Sequence, residues 1–386
     1  ALVGHGTLRK RVVGWQREAP GAEAMCRMRA LLREALEQGA FGLSTGLEYP
    51  PGRYATSEEI AALAREVARV GGIYASHLRN EAEGLVEAVE EALQVGQATG
   101  VAVQLSHHKA EGRRNWGKVE QTLARVEKAR AAGMDVALDV YPYTAFMTGL
   151  GVRTLPAWAQ EGSVEQLAER LKDAAYRERV LEAMGEVDVD WEQLHIAIAR
   201  RDRSLQGRSV AEIARERGKS PQETVVEILL SEHGMVTGIH FAISEADLRA
   251  VMRFPHTCIA SDSASRSADG PLARDHVHPR GFGTFPRVLG RYVREEKVLP
   301  WAEAIRKMTA LPASRLGLRR RGVIAPGAYA DLVVFDPHTV ADCATYAEPN
   351  QYPVGIRHVF VNGVAVVRDG AETGARPGRV LRRGAE

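Results

Sequence analysis

Apolar positions recur at helical spacing over residues 22–38 (Met25, Met28, Leu31, Leu32, Ala35, Leu36), and Gly39 stands where such a helix would stop. A short apolar run follows, Phe41-Gly-Leu-Ser-Thr-Gly-Leu-Glu-Tyr49, closed by the turn residues Pro50-Pro51-Gly52. Thr56 or Ser57, with Glu58 and Glu59 behind it, reads as the N-cap and acidic first turn of a helix reaching about Val70. The alternation then repeats: strand 73–77, helix 83–98, strand 101–107, helix 117–132 and strand 134–141, punctuated by Gly71, Gly72, Gly100 and Gly133. These strands are unbroken apolar runs, which predicts parallel strands covered by helices on both faces.

The rhythm breaks at residue 150. Up to about residue 230 the pattern gives helices at 163–185, 209–216 and 221–231 and one strand, Leu194–Arg200, so this stretch reads as an insertion or lid. Barrel-like alternation resumes with a strand at 234–240, a helix at 245–252 and a strand at 257–262. A long polar loop at 263–283 and helices at 285–296 and 301–310 follow. About six barrel strands are expected, as in a (β/α)8 TIM-like barrel whose first strands precede Ala1. From Gly322 the grammar changes to short strands at 322–327, 330–336, 356–361 and 364–367, with Asn362-Gly363 as a hairpin turn. The expected divisions are barrel 1–149, insertion 150–230, barrel 231–318 and a small β domain 319–386.

Parallel-strand enzymes place their chemistry just past the carboxyl ends of strands. Three apolar runs end there in ionisable side chains: Ile73-Tyr-Ala-Ser-His77, Val101-Ala-Val-Gln-Leu-Ser-His107 and Thr257-Cys-Ile-Ala-Ser-Asp262. Two imidazoles and a carboxylate are therefore expected in one mouth, and neutral imidazole suits Zn2+. His108, of opposite strand parity to His107, is assigned to the surroundings of the ligands or to packing. Ser76, Arg79, Asn80 and Glu81 border His77 and are assigned to the same surroundings.

Composition narrows the class. The chain has 386 residues, 45% of them hydrophobic, which suits one large α/β domain with a smaller companion. With 51 Lys and Arg against 49 Asp and Glu, a net charge of +2 gives no electrostatic ground for a nucleic-acid or membrane partner. Arg319-Arg320-Arg321 reads as solvated loop charge. Three cysteines without CxxC spacing point to neither a disulfide framework nor a zinc knuckle, and fit a reducing cytoplasm. No stretch approaches the ~18 apolar residues of a membrane span or has the form of a signal peptide. Residues 1–9 read as a strand end and a loop, so a longer protein is expected to begin upstream.

Several segments carry a family resemblance: Gly42-Leu-Ser-Thr-Gly-Leu-Glu-Tyr-Pro-Pro-Gly52, Ser76-His-Leu-Arg-Asn-Glu81, Leu105-Ser-His-His-Lys109, Asp139-Val-Tyr-Pro-Tyr143, Ala260-Ser-Asp262, His278-Pro-Arg-Gly-Phe-Gly-Thr-Phe-Pro-Arg287 and Pro326-Gly-Ala-Tyr-Ala-Asp-Leu-Val-Val-Phe-Asp336. Together they resemble the N-acyl-D-amino-acid deacylase (D-aminoacylase) family of the amidohydrolase superfamily along essentially the whole chain. The resemblance implies a zinc-dependent barrel with a flanking β-sandwich that cleaves the amide of a small molecule, an N-acyl-D-amino acid. It implies His77, His107 and Asp262 as metal ligands, with Asp262 also taking the proton from the attacking water and passing it to the leaving nitrogen. Lys109 and Arg280 match positions that bind the substrate carboxylate, and Lys109 also suits the acyl oxygen. Tyr141 or Tyr143 suits either an oxyanion donor or aromatic packing. Phe146, Met147, Leu150 and Trp158 suit an acyl-chain pocket or lid packing, and Asp331 and Asp336 mark turns.

The family's His-x-His pair and its early cysteine ligand have no counterpart among these residues and are expected upstream. Two other readings compete. A cyclic amidase resembling hydantoinases or dihydroorotases would share the barrel and aspartate base, but the insertion and the lack of a strand-end lysine placed for carboxylation argue against it. A metal-free relic with a binding role is the reading if Ala1 is a true start.

Overall fold

A computed structural model describes residues 1–385. β1 (Val3–Gly4) passes directly into α1 (His5–Val12), where the sequence reads as a loop. No side chain caps α1. Tertiary contacts hold it instead: His5 Nε2 lies 2.8 Å from Glu59 Oε1, and Arg9 donates to Glu59 Oε2 at 2.5 Å. α2 (Ala22–Glu37), β2 (Gly42–Gly46), α3 (Ser57–Ala68), β3 (Ile73–His77), α4 (Leu85–Thr99), β4 (Ala102–Leu105), α5 (Lys118–Ala131) and β5 (Val136–Val140) then alternate as the pattern predicts. Thr56 is the cap of α3, its hydroxyl accepting from the Glu59 N–H at 3.2 Å.

β6 (Phe146–Gly149), β7 (Leu194–Ile196) and β8 (Thr237–His240) intervene before β9 (Thr257–Ile259) returns to the main sheet. That sheet has six strands in the order β1-β2-β3-β4-β5-β9, every neighbouring pair parallel. It is the parallel core of a barrel. Leu43, Tyr74, Val103, Leu105, Leu138, Val140 and Ile259 on the strands share one core with Leu32, Leu36, Leu63, Val67, Val89 and Val126 on the helices. Burial on both sides explains why the strands read as unbroken apolar runs.

The strand expected to resume the barrel at 234–240 does not do so. β8 lies between β6 and β7 in a separate three-stranded antiparallel sheet and belongs with the insertion. An apolar run signals burial but does not name its neighbour. The insertion packs around a second core, including Leu150, Leu171, Val180, Ile196, Ile213, Val225 and Ile228. Its expected helix at 163–185 is two helices, Val164–Arg170 and Ala174–Met184; Asp173 caps the second by accepting from the Tyr176 N–H at 2.8 Å.

The polar loop after β9 is shorter than expected, because a helix begins at Arg280 and runs to Arg287 before wider π turns over Val288–Glu295. β10 (Leu332–Phe335), β11 (Ile356–Val361), β12 (Val364–Arg368) and β13 (Ala371–Glu372) form one antiparallel sheet in that order. Asn362 and Gly363, with φ of 49° and 83°, make the β11–β12 turn. Residues 322–327 form no strand. Of the expected 319–386 domain, Glu386 lies outside the described residues. Among those described, no helix is long and apolar enough to cross a membrane.

β2 and β3 approach closely at Gly42, which pairs with Ile73. A Cβ there would lie 1.9 Å from the Ile73 carbonyl oxygen, and backbone cannot yield as a flexible side chain does. Gly42→Ala is expected to destabilise the fold by about 1–3 kcal/mol or more. The urea midpoint measures this, and an unshifted midpoint would contradict the close approach.

Candidate active site

The carboxyl ends of the parallel strands converge on a cavity of about 230 Å3 lined by Glu48, Tyr49, His77, Glu81, His107, Lys109, Glu111, Tyr141, Phe146, Met147, Thr148, Asp262 and Arg280. His77 ends β3, His107 stands two residues past β4, Tyr141 one past β5 and Asp262 three past β9. His107 and Asp262 hold left-handed backbones, with φ of 38° and 47°. Such conformations cost about 1–3 kcal/mol and persist where surrounding contacts enforce them. At His107 the enforcing group is Asp139: its Oδ1 accepts the His107 N–H at 2.7 Å, and its Oδ2 accepts from Gln104 Nε2 at 2.8 Å.

The two imidazoles face each other, His77 Nδ1 lying 2.9 Å from His107 Nε2. Their outer nitrogens meet carboxylates: His77 Nε2 is 3.1 Å from Glu48 Oε2, and His107 Nδ1 is 3.1 Å from Glu81 Oε1. Carboxylate, imidazole, imidazole and carboxylate thus make three close contacts, while two neutral rings supply two N–H groups. When both rings donate outward, two bare lone pairs oppose each other at 2.9 Å. Burial lowers the His77 pKa, against the attraction of Glu81, which disfavours an extra proton as the remedy. Lys109 Nζ donates to Glu81 Oε2 at 2.5 Å and also lies within hydrogen-bond distance of His107 Nδ1, at 3.1 Å.

The gap therefore fits a cation. Tetrahedral zinc with bonds of ~2.0–2.1 Å sets its nitrogens roughly 3.3 Å apart, a few tenths of an ångström from the spacing here. A histidine ligand that donates its second N–H to a carboxylate is the usual support of a metal site. His77, Glu81 and His107 are the described group whose candidate ligand atoms all lie within 4.8 Å of one another. Asp262, expected beside them, is not in that group. It lines the same cavity with its side chain 39% exposed, its Oδ2 2.8 Å from Arg280 Nη1.

Beneath the imidazoles lies a buried ion pair. Burial works to raise the Glu81 carboxyl, but the Lys109 ammonium and the two histidines hold it well below the usual carboxylate range. Burial likewise works to lower Lys109, and Glu81 turns the net shift upward.

Arg280 is buried in the cavity wall with its guanidinium 4.7 Å from the centre of the Tyr141 ring. Its Nε and Nη1 have no hydrogen-bond partner among the described residues; the Asp262 contact is ionic without hydrogen-bond geometry. A buried guanidinium whose N–H groups lack hydrogen-bonded acceptors is suited to a carboxylate. His278 holds the base of this arm, its Nδ1 accepting the Arg280 N–H at 3.0 Å. The Tyr141 hydroxyl is also buried without a partner, and burial raises its pKa, so it stays a donor. Tyr143 does not line this cavity; it packs edge-on to His278, 5.1 Å between ring centres, and under Arg287.

Two residues assigned to the ligands' surroundings, Arg79 and Asn80, turn elsewhere, and His108 takes its packing alternative. Arg79 is engaged by Glu91 and by the carbonyls of Arg53 and Ala55. The Asn80 side chain accepts from Ala82 and Gly84 and shapes the turn before α4. His108 points to α5, 2.7 Å from the Thr122 hydroxyl, and burial pushes it down to about 4. Ser76 stays close, donating to the His77 carbonyl at 3.2 Å. Phe146 and Met147 line the cavity, whereas Leu150 and Trp158 pack in the insertion's core. Several residues at the site carry no role in the sequence reading, among them Glu48, Glu111 and Arg153. Glu48 stands two residues past β2, as His107 does past β4, so a scan of every strand tip would have found it. Arg153, which bonds both Glu48 and Glu111, has no sequence signal.

Lys109→Met should cost about 3–5 kcal/mol at pH 7, because Glu81 is left charged and buried without its counter-ion. The native pair's contribution from Glu81 is present above the unfolded carboxyl pKa of about 4.3 and is lost as pH falls toward the depressed folded value. The variant's deficit should therefore shrink in acid. Urea midpoints of both proteins from pH 7 to pH 3 measure it, and a deficit constant over that range would contradict the pairing.

A family model described as amidohydrolase family matches residues 1–367. A D-aminoacylase of Alcaligenes xylosoxydans xylosoxydans is 40% identical over 382 residues, 99% of this chain and 69% of its own length. An N-acyl-D-glutamate deacylase of the same organism is 40% identical over 387 residues, 100% of this chain and 70% of its own. Among solved structures, an N-acyl-D-glutamate deacylase from Bordetella bronchiseptica superposes with a TM-score of 0.81 at 38% identity, covering 99% of this chain and 71% of that one. That protein was crystallised with zinc and a phosphonate inhibitor that mimics the reaction's tetrahedral intermediate.

Proposed function

The chain belongs to the amidohydrolase family, and from that premise we propose that it hydrolyses the amide of an N-acyl-D-amino acid to a carboxylate and the free D-amino acid, with zinc held by His77 and His107. The observation that carries this reading is the facing pair of imidazole nitrogens at 2.9 Å, each ring backed by a carboxylate, in one cavity with the buried Arg280 guanidinium and Asp262. Relatives 40% identical are D-aminoacylase and N-acyl-D-glutamate deacylase, which supports the D configuration and the linear amide. Three unpaired thiols, Cys26, Cys258 and Cys343, fit a reducing cytoplasm.

The residues divide the work. Arg280 receives the substrate carboxylate through its guanidinium, whose Nη1 lies 2.8 Å from Asp262 Oδ2, and Tyr141 donates its phenol to the oxygen that gains charge at the amide carbon. Asp262, next to Arg280 and open to solvent, takes the proton of the attacking water and delivers it to the leaving nitrogen as the C–N bond breaks. Glu81 and Glu48 keep the outer imidazole nitrogens protonated, so the inner nitrogens present lone pairs. Zinc, when bound, supplies Lewis-acid polarisation of the carbonyl and makes water more acidic.

Metal analysis of the intact protein with a panel of N-acetyl-D and N-acetyl-L amino acids tests the reading. Zinc uptake, loss of turnover on chelation with recovery on adding zinc, and preference for the D series are expected; hydrolysis that ignores chelation would sink it. Asp262→Asn should keep the metal and lose turnover by about 10²–10⁴-fold, the worth of a general acid–base. Full turnover in that variant would remove the role. Arg280→Ala should raise KM for acyl amino acids by roughly 10–100-fold, the worth of a charge-assisted bond, and far less for neutral acyl amides. Equal effects on both would end the carboxylate assignment.

A further inference from the structure

We propose that Arg153, carried by the insertion on α6 (Leu150–Thr154), is a positioning residue that fixes the His77 imidazole through Glu48 and thereby sets how tightly the centre holds its metal. The inference rests on the metal reading above and adds to it a control point outside the barrel. Glu48 divides its two oxygens: Oε1 meets Arg153 Nη1 at 2.8 Å and Oε2 meets His77 Nε2 at 3.1 Å. Glu81 does the same on the other side, with Oε2 to Lys109 and Oε1 to His107. Each imidazole therefore has a carboxylate behind it and a cation behind that carboxylate. Lys109 is part of the barrel; Arg153 is not.

Arg153 does not line the cavity that holds the imidazoles. It lines a neighbouring space of about 450 Å3 between the barrel mouth and the insertion, with Glu111 and Phe146 common to both walls. Its second nitrogen donates to Glu111, so two carboxylates anchor the guanidinium. The arrangement places it behind Glu48 as seen from His77, where it acts on that ligand's orientation. Without it, Glu48 is a buried carboxylate whose remaining partner is a neutral imidazole N–H. A carboxylate so placed turns toward water or toward the metal, and either movement releases the tautomer of His77. Removing Arg153 also removes a positive charge that repels zinc, so the sign of the effect tests which contribution dominates.

The experiment is zinc affinity by competition with a chromophoric chelator, on wild type, Arg153→Met, Arg153→Lys, Glu48→Gln and the double variant Arg153→Met/Glu48→Gln. Arg153→Met should bind zinc about 10–100-fold more weakly, the usual cost of removing an outer partner of a ligand. Arg153→Lys should recover part of the loss, and at saturating zinc its KM should equal that of wild type. The double variant should bind no more weakly than its weaker parent, because both changes act through one hydrogen bond. Unchanged or tighter binding in Arg153→Met, additive losses, or a raised KM in Arg153→Lys would overturn the proposal. Should Arg153→Met fail to fold, an Arg153→Lys variant with wild-type zinc affinity overturns it equally. A wild-type chain that takes up no zinc overturns the metal reading itself, and this proposal with it.

Discussion

Two protons must serve three contacts in the row Glu48, His77, His107, Glu81, and the rest of the site is arranged around that shortage. Neutral imidazoles cannot satisfy the row alone, and burial opposes charging His77. The row therefore leaves a place for a cation between facing nitrogens. Charge points the same way. Glu48, Glu81 and Glu111 carry three negative charges against two positive ones on Lys109 and Arg153, all close together and mostly buried. In a low-dielectric site an unbalanced charge is costly, and a cation at the imidazoles lowers that cost.

This arrangement divides the cavity by function. The imidazole wall is filled with groups already bonded to one another. The same cavity carries donors of Arg280 and Tyr141 that no described residue hydrogen-bonds, with Asp262 beside Arg280. Unpaired buried donors are unfavourable in an empty site and become favourable when a ligand supplies acceptors. The strained backbones of His107 and Asp262 belong to the same design, since both side chains depart from their strands at angles that an extended backbone does not allow.

Much of this was legible because parallel strands are covered on both faces. An apolar run that ends in a histidine or an aspartate then has one place to put it, and His77, His107 and Asp262 were readable on that ground. Direction was not readable. Arg79 and Asn80 stand as near to His77 in sequence as Glu81 does, yet they serve the loops toward Glu91 and α4, because the chain turns between β3 and α4. Parity did separate His108 from His107. The insertion hid more. β8 looked like a barrel strand because its apolar run is the same whether its neighbours are parallel or antiparallel. Arg153 had no signal at all, since a single arginine on a five-residue helix gains its meaning from carboxylates far away in sequence.

That last contact bears on how the two parts of the molecule are joined. The barrel and the insertion bury separate apolar cores, so shape-matched packing within each can be complete without the other. At the site the joint between them combines an apolar cluster, Tyr141 and Tyr143 with Phe146 and Ile243, with polar contacts: Arg153 reaches Glu48 and Glu111, and the Tyr49 hydroxyl lies 3.2 Å from that of Thr148. The polar contacts share one carboxylate: Glu48 meets Arg153 of the insertion through one oxygen and His77 of the barrel through the other. Binding energies linked through a shared group are reciprocal. On the proposed reading, a cation that holds His77 in place also holds Glu48 ready for Arg153, and the barrel mouth and the insertion are then stabilised together.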